Sequence, residues 1–352
     1  MCHFVELLNV RDMLNFAQED LKRFRELIAD AKRVVLVSHV NADGDAVGSV
    51  LGSLAVIGGV NREAKITAML PNGCPKLFGF LPGAGEIVSG DENLWRCEEA
   101  MGEADLIVGL DFNSLGRIDQ LGKLLKESKG RKVLVDHHHC PEVGEFDVCF
   151  SVPELSSTCE LAVWLYTKMF GDEVLNLDAG RCLLTGMCTD TGFFAYSCSR
   201  PSLFVAASKI VALGIDPTEI HNQIVNSFSV ARMKFYGFAI NERLRIFREK
   251  RVAYFYFSLE DQKRCGVGAE DMEGLVNYTL MMREIEVGAL IREEENRTKI
   301  SLRAKGSFDV NVFARKHWCG GGHTKAAGAT SEASFEETVK MVEEKLLEEV
   351  RC

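Results

Sequence analysis

Through the first half of the chain, short apolar runs alternate with amphipathic segments. Leu14, Ala17, Leu21, Phe24, Leu27 and Ile28 recur at the spacing of one helical face, which predicts an opening helix. "RVVLVSH" (33–39) then reads as a short buried strand, and further strands follow at "KITAML", "DLIVGLD" and "KVLVDHH". Helical pattern or turn residues lie between them, notably "AVGSVLGSLAVIGG" and "LGRIDQLGKLLKES". This alternation predicts an α/β fold whose sheet is mostly parallel and carries helices on both faces. Open sheets of this kind bind ligands outside the carboxyl ends of their strands.

After Pro153 the pattern turns helical, with "SSTCELAVWLYTKMF", "DAGRCLLTGMCTDTG" and "PSLFVAASKIVALG" in succession. From "IDPTEIHNQI" to about Arg245 the chain reads as a helical connector. "RVAYFYFSL" then opens a smaller α/β domain. It continues through a helix at "GLVNYTLMM", strands at "EVGALIRE" and "TKISLRAK", a glycine-rich turn "CGGGHTKAAG" and a charged helix from Phe335 to Val350. The expected domains are 1–215, a linker 216–245, and 246–352. At 352 residues the chain exceeds one ordinary core, in keeping with that division.

Composition narrows the class. With 47% hydrophobic and 26% charged residues the chain is globular, and it has no apolar run near the roughly 18 residues of a membrane span. Its start, "MCHFVELLNVRDML", carries acids and lacks a basic segment followed by an apolar core. A cytoplasmic location without a membrane partner is therefore expected. The twelve cysteines contain no C-x-x-C pair, which favours reduced, buried thiols over structural zinc or disulfides. A formal charge of −10 argues against tight binding of long duplex nucleic acid. Between Arg297 and Lys325, however, Arg297, Lys299, Arg303, Lys305, Arg315, Lys316 and Lys325 face the single acid Asp309. Such a patch suits a small anionic ligand.

The candidate chemistry lies where apolar runs end. "SHVNADGDAVGS" supplies His39, Asp43 and Asp45, "GLDFNS" Asp111, "VDHHHC" Asp136, His137 and His138, and "CTDTGFF" Asp190. Singly, each acid is most simply a turn residue or helix cap. Jointly that reading fails, because the ends of parallel strands converge on one edge. Carboxylates crowded there repel one another unless cations neutralise them. Oxygen and imidazole donors without cysteine favour a divalent ion such as Mn²⁺ or Mg²⁺. Two ions, about 3.5–4 Å apart, would hold the attacking and leaving oxygens of an in-line phosphoryl displacement. Hydrolysis of a phosphate ester or anhydride is the leading chemistry.

These four motifs, in this order, resemble the DHH phosphoesterase superfamily, and "VDHHH" contains its naming triplet. "ISLRAKG" followed by "GGGHTKAAG" is similar to the DHH-associated C-terminal domain of the nano-RNase and pAp-phosphatase group, so the resemblance spans nearly the whole chain. It implies one metal site of His39, Asp43 and Asp111 and a second of Asp45, Asp111, His137 and Asp190, with Asp111 bridging. It also implies that His138 faces the scissile phosphate or leaving oxygen and that Asp136 orients a histidine. His139 is expected to be a loop residue. The first motif departs from the family in having Ala42 where proline is usual, which leaves the loop's rigidity open. In the second domain, Gly320, Gly321 and Gly322 would admit a phosphate close to the backbone, with Arg303 and His323 as the substrate clamp. Lys325 is a further substrate-binding candidate, and Arg292 and Lys305 are weaker ones.

The implied enzyme is a phosphoesterase dependent on two Mn²⁺ ions, with Mg²⁺ or Co²⁺ as alternatives. It would cleave short 5′-phosphorylated oligoribonucleotides to mononucleotides, and pAp to AMP, in a cleft between the domains; a homodimer is compatible with this. A cyclic-dinucleotide or linear pApA phosphodiesterase is the nearest alternative. Inorganic pyrophosphatase, a RecJ-type exonuclease and a non-catalytic nucleotide-binding regulator are more distant ones.

Overall fold

A computed structural model describes residues 14–350. The opening segment, on which the expectation about a leader rests, lies outside the described residues. The chain divides into two compact units, Met1–Asn226 and Ser227–Cys352.

The first unit is built on six parallel strands: β1 (Arg33–Val37), β2 (Lys65–Leu70), β3 (Val88–Ser89), β4 (Leu106–Leu110), β5 (Arg131–Asp136) and β6 (Val148–Ser151). Their order across the sheet is β3-β2-β1-β4-β5-β6. The four strands expected from apolar runs are present, whereas β3 and β6 are too short to carry a legible period. The helices are α1 (Gln18–Asp30), α2 (Gly44–Val60), α3 (Gly90–Glu103), α4 (Gln120–Glu127), α5 (Thr158–Phe170), α6 (Leu177–Asp190), α7 (Pro201–Val211) and α8 (Pro217–Ile224). On one face Phe24, Val50, Leu161 and Leu183 pack with Val34, Leu36 and Val108. On the other, Met101, Leu121 and Leu125 pack with Val35, Val37 and Ile107. Both faces of the central strands are therefore covered, which is why those strands read as unbroken apolar runs. The helix expected at "LGRIDQLGKLLKES" is broken: a 3₁₀ turn at Leu115–Ile118 precedes α4, and Asp119 between them is left-handed at φ 48°.

The strand order reverses direction between β1 and β4, the place where open sheets leave a crevice. Helices α2 and α6 close one side of it at very short range. Gly44, Gly48 and Gly52 lie one turn apart along α2. A Cβ on them would sit 2.3 Å from Thr189 Oγ1, 2.6 Å from the Cys182 carbonyl and 2.6 Å from Leu183, respectively. Only hydrogen fits at these contacts, so the glycine spacing sets the helix separation.

The second unit carries a mixed sheet of β7 (Leu244–Phe247), β8 (Val252–Phe257), β9 (Val287–Glu294), β10 (Arg297–Ala304), β11 (Cys319–His323) and β12 (Ala326–Ser331), in the order β11-β12-β10-β9-β8-β7. Only β8 and β9 pair in parallel. Its helices are α9 (Val230–Phe238), α10 (Leu259–Cys265), α11 (Asn277–Met281), α12 (Val310–His317) and α13 (Phe335–Glu349). Two expectations need correction. The first strand of this sheet is not "RVAYFYFSL" but β7, which begins at Leu244, where the helical connector ends close to the expected place, and pairs with β8 as an edge strand. "CGGGHTKAAG" is not a turn but two paired strands, β11 and β12, joined by Thr324 and Lys325. Glycine serves close packing there: a Cβ on Gly320 would meet the Gly328 carbonyl at 2.6 Å, and one on Gly322 the Ala326 carbonyl at 2.5 Å.

Candidate metal centre

Each side chain of the first motif is set by the turn from β1 into α2. His39 lies two residues beyond β1 and is buried. Asp43 is the N-cap of α2, its Oδ1 accepting the Asp45 and Ala46 N–H groups at 3.1 and 3.0 Å. Asp45, in the first turn, is fully buried. The loop is tied without proline at position 42. Asn41 N–H donates to Asn72 Oδ1 at 2.8 Å, and Val40 N–H to the Arg117 carbonyl at 2.9 Å. Asp111 follows β4 directly in a left-handed conformation, φ 64°, with its N–H bonded to the Val135 carbonyl. Asp136 ends β5, His137 and His138 follow it, and Asp190 is the last residue of α6.

These residues converge. His39, Asp43 and Asp111 offer ligand atoms within 4.8 Å of one another, as do Asp45, His137 and Asp190, and also Asp111, His137 and His138. Asp111 faces two ways: Oδ2 lies 3.3 Å from His39 Nε2, and Oδ1 lies 3.5 Å from His137 Nε2. His137 Nε2 is also 3.4 Å from Asp190 Oδ2 and 3.8 Å from Asp45 Oδ2. The sequence-predicted ligands therefore form two neighbouring donor sets joined through Asp111. His139 is exposed, and its backbone carbonyl accepts from Asn113 Nδ2 at 2.7 Å.

The donor set fits divalent cations. His39 Nδ1 lies 2.8 Å from the Val40 carbonyl, so its proton sits there and Nε2 turns a lone pair toward the carboxylates. That Nε2 is buried without a hydrogen-bond partner. His137 repeats the arrangement less tightly, with Nδ1 3.4 Å from the Leu155 carbonyl. Charge points the same way. Burial, together with the Asp111 charge, pushes the Asp45 carboxyl well above the usual carboxylate range. Burial and the charges of Asp45, Asp43 and Asp111 do the same to Asp190. Burial also acts to raise Asp111, but His39, His137 and His138 outweigh it and hold that carboxyl low. Burial acts to lower His39, yet Asp111 and Asp43 leave it raised, so a proton and a cation compete for the lone pair of Nε2. Lone pairs and crowded carboxylates meeting in a buried space are balanced by cations.

Three supporting contacts were not legible in the sequence. The Asp45 carboxylate accepts the Thr158 and Cys159 N–H groups at 2.6 and 2.8 Å, at the N-terminus of α5. Thr158 Oγ1 donates to Asp111 Oδ1 at 3.0 Å, fixing that carboxylate oxygen. Arg117, in the 3₁₀ turn after β4, places Nη1 2.8 Å from His138 Nε2, while His138 Nδ1 lies 2.7 Å from Asp136 Oδ1. A guanidinium only donates. His138 Nε2 therefore accepts from Arg117, and its Nδ1–H is given to Asp136.

Comparison with known proteins agrees with this geometry. The model of the DHH family N-terminal domain matches residues 33–187, and that of the DHHA1 domain residues 249–348. A crystal structure of an exopolyphosphatase-related protein from Bacteroides fragilis is 32% identical, covers 94% of this chain and 96% of that one, and superposes with a TM-score of 0.90. The chain belongs to the DHH family. The bifunctional oligoribonuclease and PAP phosphatase NrnA of Thermus thermophilus is 24% identical over 330 residues, covering 89% of this chain and 90% of that protein. The cyclic-di-AMP phosphodiesterase GdpP of Bacillus subtilis is 24% identical over 329 residues, 90% of this chain but 48% of that one.

In the DHHA1 unit of this DHH protein, Arg303 of β10 and His323 of β11 both stand opposite Ala326 of β12. Directly opposed residues share a face, so the two cationic candidates flank one small side chain on the same side of the sheet. The basic patch around them is weaker than the sequence suggests. Arg297 and Arg292 pair with Glu294, and Lys316 with Glu349. Lys325 Nζ bonds the Gly306 and Phe308 carbonyls, and Lys305 Nζ those of Leu280 and Met282. These lysines fasten turns. Of the three glycines, Gly321 alone has room about it, its nearest neighbour being Arg315 at 3.7 Å. Among the described residues, no helix is long and apolar enough to cross a membrane.

Proposed function

We propose that this DHH protein is a metal-dependent phosphoesterase. In this reading it hydrolyses short 5′-phosphorylated oligoribonucleotides to mononucleotides and pAp to AMP. The observation that carries it is the placement of Asp111, whose two carboxylate oxygens face two separate histidine-containing donor sets. His39, Asp43 and Asp111 would hold one cation, and Asp45, Asp111, His137 and Asp190 the other. Mn²⁺ suits these oxygen and imidazole donors, with Mg²⁺ or Co²⁺ as alternatives. Such cations supply charge neutralisation for a transferring phosphoryl group and activate water at neutral pH.

The chain's own groups would do the rest. His138, its Nδ1 set by Asp136 and its Nε2 by Arg117, would stand beside the reacting phosphate. Arg117 places a fixed positive charge beside it. Arg303, with its planar fork of donors, would take the far phosphate or nucleotide together with His323. The match over 90% of NrnA favours its substrates. The similarity to GdpP makes cyclic dinucleotides the second class to assay. A cytoplasmic location suits these substrates.

Chromatography of the products after incubation with pApA or pAp in Mn²⁺ tests the reading. AMP is expected from both. Asp111→Asn should cut turnover by at least about a thousandfold, since one change weakens both donor sets. Arg303→Ala should mainly raise KM. Near-normal kcat in Asp111→Asn contradicts the proposal.

A further inference from the structure

Glu160 is a buried acid that stands outside both donor sets. It lies in the first turn of α5, shut off from solvent. Both oxygens of its side chain are engaged. Oε2 accepts the Ser156 N–H at 2.9 Å and the Ser156 hydroxyl at 2.7 Å, and Oε1 accepts the Ser202 hydroxyl of α7 at 2.7 Å. Its own N–H donates to Ser157 Oγ at 3.0 Å.

Helix capping explains part of this. An acid three residues beyond a serine cap ordinarily closes back on the N–H of that cap, here Ser157. Glu160 reaches one residue further, to Ser156, and ties it to the start of α7. The segment gripped in this way carries contacts to three metal-ligand candidates. The Leu155 carbonyl lies 3.4 Å from His137 Nδ1, and Thr158 Oγ1 donates to Asp111 Oδ1 at 3.0 Å. The Thr158 and Cys159 N–H groups donate to the two Asp45 oxygens at 2.6 and 2.8 Å. His137, Asp111 and Asp45 all belong to the donor set of the second cation.

We propose that Glu160 is a positioning residue for that second cation site. By holding Ser156 it sets the place of residues 155–159, from which Leu155, Thr158 and Cys159 orient His137, Asp111 and Asp45. This rests on the two-cation reading above and is independent of which phosphate ester is cleaved.

The test is Mn²⁺ binding to the full chain by equilibrium dialysis, read beside denaturant unfolding of the metal-free protein. Glu160→Met keeps the length of the side chain and removes both acceptors. It should weaken binding of one of the two ions by roughly tenfold or more, as loss of support behind a ligand does. Glu160→Gln should keep wild-type binding, because its amide oxygen still takes both Ser156 donors and its nitrogen donates to the Ser202 oxygen. Ser202→Ala leaves Oε1 buried without its donor, so it should lower stability while the Mn²⁺ midpoint stays in place. Should Glu160→Met not fold, Ser156→Ala replaces it and should weaken one ion by about threefold or more, the equivalent of one hydrogen bond. Wild-type Mn²⁺ affinity in the less stable Glu160→Met, or in Ser156→Ala where that replaces it, overturns the proposal. So does equal weakening in Ser202→Ala, which would show that affinity merely follows stability. A wild type that binds no Mn²⁺ overturns the two-cation reading as well.

Discussion

Asp111 shows how much the site asks of one residue. It sits left-handed at φ 64°, fully buried, with one oxygen toward His39 and the other toward His137 and the Thr158 hydroxyl. Thr158→Val removes that hydroxyl at nearly constant volume. It should weaken metal affinity or activity about 10–100-fold, as loss of an outer hydrogen bond to a ligand does; a Mn²⁺ titration of activity checks it, and an unchanged midpoint argues against the role. The clustering of these acids and histidines was legible because each ends an apolar run, where a parallel sheet gathers side chains. Thr158 and Arg117 were not. Thr158 opens α5 behind its cap Ser157, which accepts the Glu160 N–H, and this leaves Thr158 to reach Asp111. Arg117 lies in a segment of helical pattern that breaks at Asp119, and its contact with His138 is a tertiary one that the pattern does not carry.

Among the elements, the α2–α6 pair brings Asp45 and Asp190 together. The glycines at 44, 48 and 52 form the face where α6 seats. Gly48→Ala would drive a methyl to within 2.6 Å of the Cys182 carbonyl, a backbone atom that yields only if α6 moves. A loss of about 1–3 kcal/mol in denaturant unfolding is expected, with weaker metal binding. Gly58→Ala is the control. On the same helix its nearest neighbour is Ile66 at 3.6 Å, so that change should be neutral or stabilise by roughly 0.5–1 kcal/mol. Strand and helix alternation made the first unit readable from the pattern alone. The second unit was less so, because β11 is a strand of glycines and β7 an edge strand whose pairing partner, rather than its own sequence, decides its form.

At the scale of the whole molecule, the −10 net charge includes four aspartates gathered at one sheet edge. Folding without cations brings those charges together, Asp45, Asp111 and Asp190 largely out of water, which the raised pKa values of Asp45 and Asp190 express. Bound cations should therefore stabilise the fold. Mn²⁺ at about 100 times its Kd contributes about 2.7 kcal/mol per site, which for a unit of this size raises the melting temperature by roughly 5–10 °C. Calorimetry with and without a chelator checks this, and an unchanged transition contradicts it. The central claim, that Asp111 joins two cation sites, is tested most directly by counting bound Mn²⁺ per chain after equilibrium dialysis, in the wild type and in Asp111→Asn. Two ions in the wild type and at most one in the variant are predicted; two ions in both, or none in the wild type, would contradict the account.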